Sequence, residues 1–82
     1  MEGRQVVAPP GAAGLCELVA GILRERGRNP RRVKVAEAER IARTIVLHRV
    51  DECAVAWWQA AGRTEAWPDF CRTWRRLHKK ED

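Results

Sequence analysis

The chain has 82 residues, with 16 Lys plus Arg against 11 Asp plus Glu, a formal charge of +5, and a hydrophobic fraction of 45 %. A length of this order allows one domain, and such a chain buries only ~60 % of its unfolded surface, which excludes a large core or a deep enclosed substrate pocket. No apolar stretch approaches the ~20 residues needed to span a bilayer, and an excess of cations speaks to partners rather than to fold.

Residues 1–10, MEGRQVVAPP, read as an irregular N-terminal arm, because adjacent Pro9 and Pro10 stop any regular element. Residues 11–82 read as a single helical domain. The first helix is expected from about Gly11 to Arg26, where Leu15, Leu18, Val19, Ile22 and Leu23 recur at three- and four-residue intervals. Gly27 is placed to terminate it, and Asn29-Pro30 can cap the next helix and occupy its first position.

The second helix is expected to carry Val33, Val35, Ala38, Ile41, Ala42, Ile45 and Val46. A third pattern follows in Leu47, Val50, Ala54, Trp57, Trp58 and Ala61, ending at Gly62. The stripe changes phase around residues 47–50, and Asp51 can cap a new helix. One bent helix over residues 30–61 and two separate helices both fit the pattern, and the phase change favours a break near Arg49–Asp51. The last helix is expected from Thr64 or Trp67 to Lys79, with Pro68 in its first turn. The fold class is therefore all-α, a small irregular bundle of three to four helices with short turns.

The last helix carries the strongest pattern in the chain. At 100° per residue, Trp67, Phe70, Cys71, Trp74 and Leu77 share one side, and Arg72, Arg75, Arg76, Lys79 and Lys80 share the other. An ordinary solvated face mixes acids with bases at i, i+4 spacing, whereas no acid interrupts these five cations. A second cluster lies in RERGRNPRRVK, residues 24–34, where Arg24, Arg26, Arg28, Arg31, Arg32 and Lys34 face a single acid, Glu25. The N–H groups of a helix start there, flanked by arginines, would suit a phosphate. Phosphates neutralised by both clusters would give salt-dependent binding. The cationic face lacks the Asn or Gln that bracket an adenine edge, and no helix-turn-helix signature is present. Backbone or shape recognition of DNA or structured RNA fits better than base reading.

Trp57, Trp58, Trp67 and Trp74 all fall in the second half of the chain, and adjacent Trp57 and Trp58 point about 100° apart on a helix. Most are expected in the core, with Trp58 the candidate for an exposed, partner-binding position. Cys16, Cys53 and Cys71 form no CxxC pair, and MEGRQVVAPP lacks the apolar run of a secretory leader, which points to reduced, buried thiols in a cytoplasmic protein. Neither Cys71 and His78 nor His48 and Cys53 have the two-to-four-residue spacing of zinc ligands. No phosphate-binding glycine loop and no acid placed to orient a Cys–His pair are seen, so no catalytic residue, metal or other cofactor is expected. Insertion of the cationic last helix into a lipid surface conflicts with the core's need for its aromatic side.

Two functions follow from these residues. The first is a non-catalytic module binding nucleic acid through backbone phosphates, accessory to a larger nucleoprotein system, with Arg28, Arg31, Arg32, Arg72, Arg75, Arg76, Lys79 and Lys80 as its contacts. The second is a protein-interaction module, an accessory subunit or inhibitor, docking the same basic face and Trp58 on an acidic protein surface. Self-association is compatible with either.

Overall fold

A computed structural model describes residues 11–78, and these form four α-helices. They are α1 (Gly11–Glu25), α2 (Val35–Leu47), α3 (Glu52–Ala60) and α4 (Ala66–His78), with no strand among the described residues. One-turn 3-10 segments at Pro30–Arg32 and Arg63–Glu65 complete the connections. The all-α bundle expected from the periodicity is thus the observed fold. The expected arm at residues 1–10, and Lys79 and Lys80, lie outside the described residues.

Helix α1 ends as its sequence dictates. Gly27 adopts φ +76°, its N–H donates to the Arg24 carbonyl at 2.9 Å, and the Arg28 N–H reaches back to Leu23 at 2.8 Å. This paired closure satisfies two carbonyls that a helix end leaves without partners. Asn29 does cap the next segment, its Oδ1 accepting from the Arg31 N–H at 3.0 Å, with Pro30 first in the turn. That segment is only the three-residue 3-10 turn, however, and α2 begins later, at Val35. Val33, placed by periodicity on the second helix, instead sits buried in extended backbone between the two.

The break between α2 and α3 is real, and its chemistry is unusual. The N–H of Arg49 donates to Val46 at 3.2 Å and that of Val50 to Ile45 at 2.9 Å, the same closure as at α1. Here the left-handed position is taken by Arg49, at φ +51°, rather than by glycine. A side chain there carries a steric cost that glycine avoids. Asp51 then caps α3, accepting from the Ala54 N–H at 3.0 Å. The chain turns sharply enough to leave Leu47 and Val50 at 65 % and 66 % exposure on the outer corner.

Helix α4 packs chiefly against α1 and next against α2. Its inner side runs Ala66, Trp67, Phe70, Thr73, Trp74, His78. The aromatic members make a continuous column. Trp57 of α3 meets Trp67 edge-on at 6.2 Å, Trp67 meets Phe70 edge-on at 6.2 Å, and Phe70 stacks on Trp74 at 6.0 Å. His78 closes the column 4.3 Å from Trp74. Leu15, Cys16, Val19, Ala20 and Leu23 of α1 and Ala38, Ala42, Ile45 and Val46 of α2 supply most of the rest of the core, with Val33 and Val55 among the remainder. Leu77, expected on the inner side, is 38 % exposed, while Thr73 and His78 are buried. The inner side therefore ends on His78 rather than on Leu77, and the packing is completed by an imidazole.

Two outcomes test this account. Phe70→Ala removes a fully buried ring from the middle of the column and is expected to cost about 3–5 kcal/mol, comparable to the whole stability of a domain this small. Circular dichroism should then show a broad, low-temperature melt. Arg49→Gly relieves the left-handed strain and is expected to stabilise by about 1 kcal/mol, raising Tm by roughly 4–8 °C.

Candidate nucleic-acid interface

The cationic residues singled out by the sequence fall into two groups once their surroundings are known. Two are tied to carboxylates. Arg28 makes a bidentate pair with Glu37 of α2, through contacts of 3.1 and 3.2 Å. The guanidinium holds the Glu37 carboxyl below the usual range, helped by the charges of Arg40 and Arg26. Its role is to tie the α1–α2 turn to α2. Arg72 lies 3.4 Å from Asp69 one turn earlier, an exposed pair of small energetic weight.

Arg31, Arg32, Arg75 and Arg76 differ. All four are exposed, and among the described residues no acidic group lies within salt-bridge distance of any of them. Arg31 and Arg32 stand on the 3-10 turn, whose backbone is fixed by the Asn29 cap and by Arg32 N–H to Asn29 carbonyl and Val33 N–H to Pro30 carbonyl bonds. Arg75 and Arg76 stand on the last described turn of α4, held from below by Trp74 and His78.

His78 lies within electrostatic reach of one of them, Arg31. Its ring is buried and its Nε2 has no hydrogen-bond partner. Desolvation lowers its pKa; Glu17 of α1 opposes the shift, while the nearby charges of Arg24 and Arg31 add to it. The end of α4 therefore lies within electrostatic reach of both the end of α1 and the basic turn. Arg24 and Arg31 are thus the cations that act on the buried imidazole. The reach from the turn to the end of α4 joins distant segments and is invisible to sequence periodicity.

The phosphate seat expected at a helix start in residues 24–34 is not formed by the 3-10 turn. The Arg31, Arg32 and Val33 N–H groups are all satisfied internally, by the Asn29 side chain, the Asn29 carbonyl and the Pro30 carbonyl. Side-chain guanidinium groups, not backbone donors, are what this turn offers an anion.

Three of the four tryptophans are buried, Trp57 at 8 %, Trp67 at 6 % and Trp74 at 3 % exposure. Trp58 is the most accessible of them, as expected, but it is only half-exposed and packs against the core. Its ring lies under the Arg63 guanidinium, 5.4 Å away. The thiols divide by place. Cys16 is buried and pushed up to about 12 by desolvation, Cys53 is exposed against expectation, and Cys71 is half-buried. The Cys71 Sγ donates to Glu39 Oε1 at 3.2 Å, and burial with this bond pushes the thiol up to about 11. Glu39 also pairs with Arg43, which lies over the Trp67 ring at 4.9 Å. Such a thiol is a poor nucleophile at neutral pH; it serves to lock α4 to α2. Among the described residues, no three His, Cys, Asp or Glu side chains gather where they could hold a metal ion. None of the described helices is long and apolar enough to cross a membrane.

No known protein family, curated protein or solved structure matches the chain. The reading of this surface rests on its own geometry.

The buried imidazole has a measurable consequence. Because its folded pKa lies below the unfolded value of about 6.5, the unfolded chain binds the extra proton and stability rises with pH across that interval. The contribution is complete above pH 6.5 and is lost as pH falls toward the folded pKa. The urea midpoint is expected to fall between pH 7 and pH 5, and His78→Phe, which keeps a ring beside Trp74, is expected to remove most of that fall.

Proposed function

We propose that this protein is a small, non-catalytic module that binds nucleic acid through its backbone phosphates, as an accessory element of a larger nucleoprotein system. The carrying observation is the grouping of Arg31, Arg32, Arg75 and Arg76 on two rigid segments, exposed and without acidic partners among the described residues. Like charges held together repel, so their clustering costs stability that no internal contact returns. An external polyanion offsets that cost. Guanidinium forks also match phosphate oxygens in pairs, which an ammonium cannot do.

Arg28 and Arg72, named with these residues on sequence grounds, contribute less because Glu37 and Asp69 already hold them. Lys79 and Lys80 continue the same run in sequence, beyond the described residues. An acidic protein surface could meet the same arginines. That alternative calls for an apolar anchor inside the charged rim, and Trp58, its candidate, is half-buried against the core and covered by Arg63. The phosphate reading is therefore preferred.

Engagement of about four phosphates gives a slope of about −3.6 in log K against log salt, so a fourfold rise in salt weakens binding on the order of 100-fold. The test is fluorescence anisotropy with labelled nucleic acid across a salt series. Replacement of Arg31, Arg32, Arg75 and Arg76 by Ala is expected to lower affinity by more than about tenfold at moderate salt and to flatten the slope. Because all four side chains are exposed, the far-ultraviolet circular dichroism and Tm should change little. Unchanged affinity in the folded variant overturns the assignment.

A further inference from the structure

The corner between α2 and α3 presents apolar surface that nothing in the fold covers. Leu47 and Val50 are 65 % and 66 % exposed, against 38 % for Leu77, the third large apolar side chain left open among the described residues. The corner runs directly into α3, where Glu52, Cys53, Ala56, Gln59 and Ala60 are exposed. Their spacing of i, i+1, i+4, i+7 and i+8 puts them on one face of the helix. Only Glu52 among them is charged, whereas the exposed positions of α4 include Arg72, Arg75 and Arg76.

Charge decides what can cover this face. Two chains of +5 repel one another, but between Leu47 and Ala61 the only charged residues are Arg49, Asp51 and Glu52. The cations at the end of α4 are held away from the corner. Cys71 meets Glu39 at 3.2 Å and Arg43 lies 4.9 Å over the Trp67 ring, so α2 and α4 run antiparallel. Arg75 and Arg76 therefore lie toward the end of α4 farther from Leu47. Four exposed ions border α3, namely Arg49 and Glu52 at its start and Arg63 and Glu65 beyond its end. Among the described residues, none of the four has an opposite charge within salt-bridge distance. They complement themselves when two α3 helices lie antiparallel about a twofold axis. Glu52 of each copy then faces Arg63 of the other, and Arg49 faces Glu65. The helix dipoles are also opposed, which is the favourable arrangement. The apolar corner of each copy meets the far end of the other's α3, where Ala60 and Ala61 are accessible.

We infer that the α2–α3 corner and the outer face of α3 form a twofold seam between two copies of this chain. The seam covers Leu47 and Val50 and is bordered by reciprocal Glu52–Arg63 and Arg49–Glu65 pairs. It uses other residues than the phosphate reading and does not depend on it. Helix α3 has nine residues, a length of about 14 Å. The seam is therefore smaller than the ~800 Å² per partner of a stable complex, and the dimer is weak, with Kd on the order of 100 µM.

The experiment is sedimentation velocity on the full chain, free of nucleic acid, from about 5 µM to about 1 mM at moderate salt. The expected result is a reversible monomer–dimer equilibrium. Val50→Glu changes an exposed side chain, so its circular dichroism should match that of the parent, and it is expected to weaken association more than about tenfold. Glu52→Arg and Arg63→Glu are each expected to weaken the dimer, and the two together to restore it to within about threefold of the parent. A monomer at every concentration, or a dimer indifferent to Val50→Glu, would overturn the inference. So would a double exchange no better than the single ones, or an assembly that grows past two copies, the mark of a head-to-tail contact.

Discussion

The aromatic column along α4 is the contact on which the rest of this structure depends. Trp67, Phe70, Trp74 and His78 follow one another at helical spacing, and Trp57 extends the series into α3. A chain with 12 alanines and few large aliphatic residues has little else with which to fill a core. Each ring buries far more surface than an alanine does. The alanines find their use opposite the rings: Ala20, Ala38 and Ala42 are fully buried and let α1 and α2 approach α4 closely. Rings concentrated on one helix, with aliphatic and small residues on its neighbours, solve the packing problem of a very short domain.

That solution also decides what the surface can do. Aromatic residues committed to the column are withdrawn from binding, and the outer face of α4 is left with arginine. The large apolar side chains left exposed among the described residues are aliphatic, Leu47, Val50 and Leu77. Electrostatics then sorts the cations. Arg28 and Arg43 are bound to Glu37 and Glu39 and reinforce the α1–α2 turn and the α2–α4 seam. Arg31, Arg32, Arg75 and Arg76 remain exposed and unneutralised among the described residues. A net charge of +5 says nothing of this division, which depends on where the carboxylates fall in the fold.

His78 links the two aspects of the molecule. It belongs to the core by burial and to the surface by electrostatics, since Arg24 and Arg31 lie close enough to disfavour its charged form. An imidazole can occupy such a place because its neutral form is accessible near neutral pH, whereas a lysine or arginine could not be buried there without a paired acid. The end of α4 is therefore anchored by a residue whose titration is shifted first by burial, with the cations Arg24 and Arg31 adding to it.

The helices and their terminators were legible in the sequence because they rest on local chemistry. Gly27 closes α1 through its freedom at positive φ, Asn29 and Asp51 cap by hydrogen bonds two or three residues ahead, and the stripes of α1 and α4 follow from helical periodicity. The segregation of Arg72, Arg75 and Arg76 from Trp67, Phe70 and Trp74 was equally plain. Tertiary structure alone decided the rest. It ended the inner stripe of α4 at His78 rather than Leu77, because burial depends on which neighbour lies opposite. It placed Glu37 against Arg28 and Glu39 against Cys71, contacts that cross between elements. It set the end of α4 within electrostatic reach of Arg31, a relation between distant segments that periodicity does not give. Spacing along a chain fixes which residues share a helix face; only the packing of that helix against others fixes which charges are neutralised and which are left exposed.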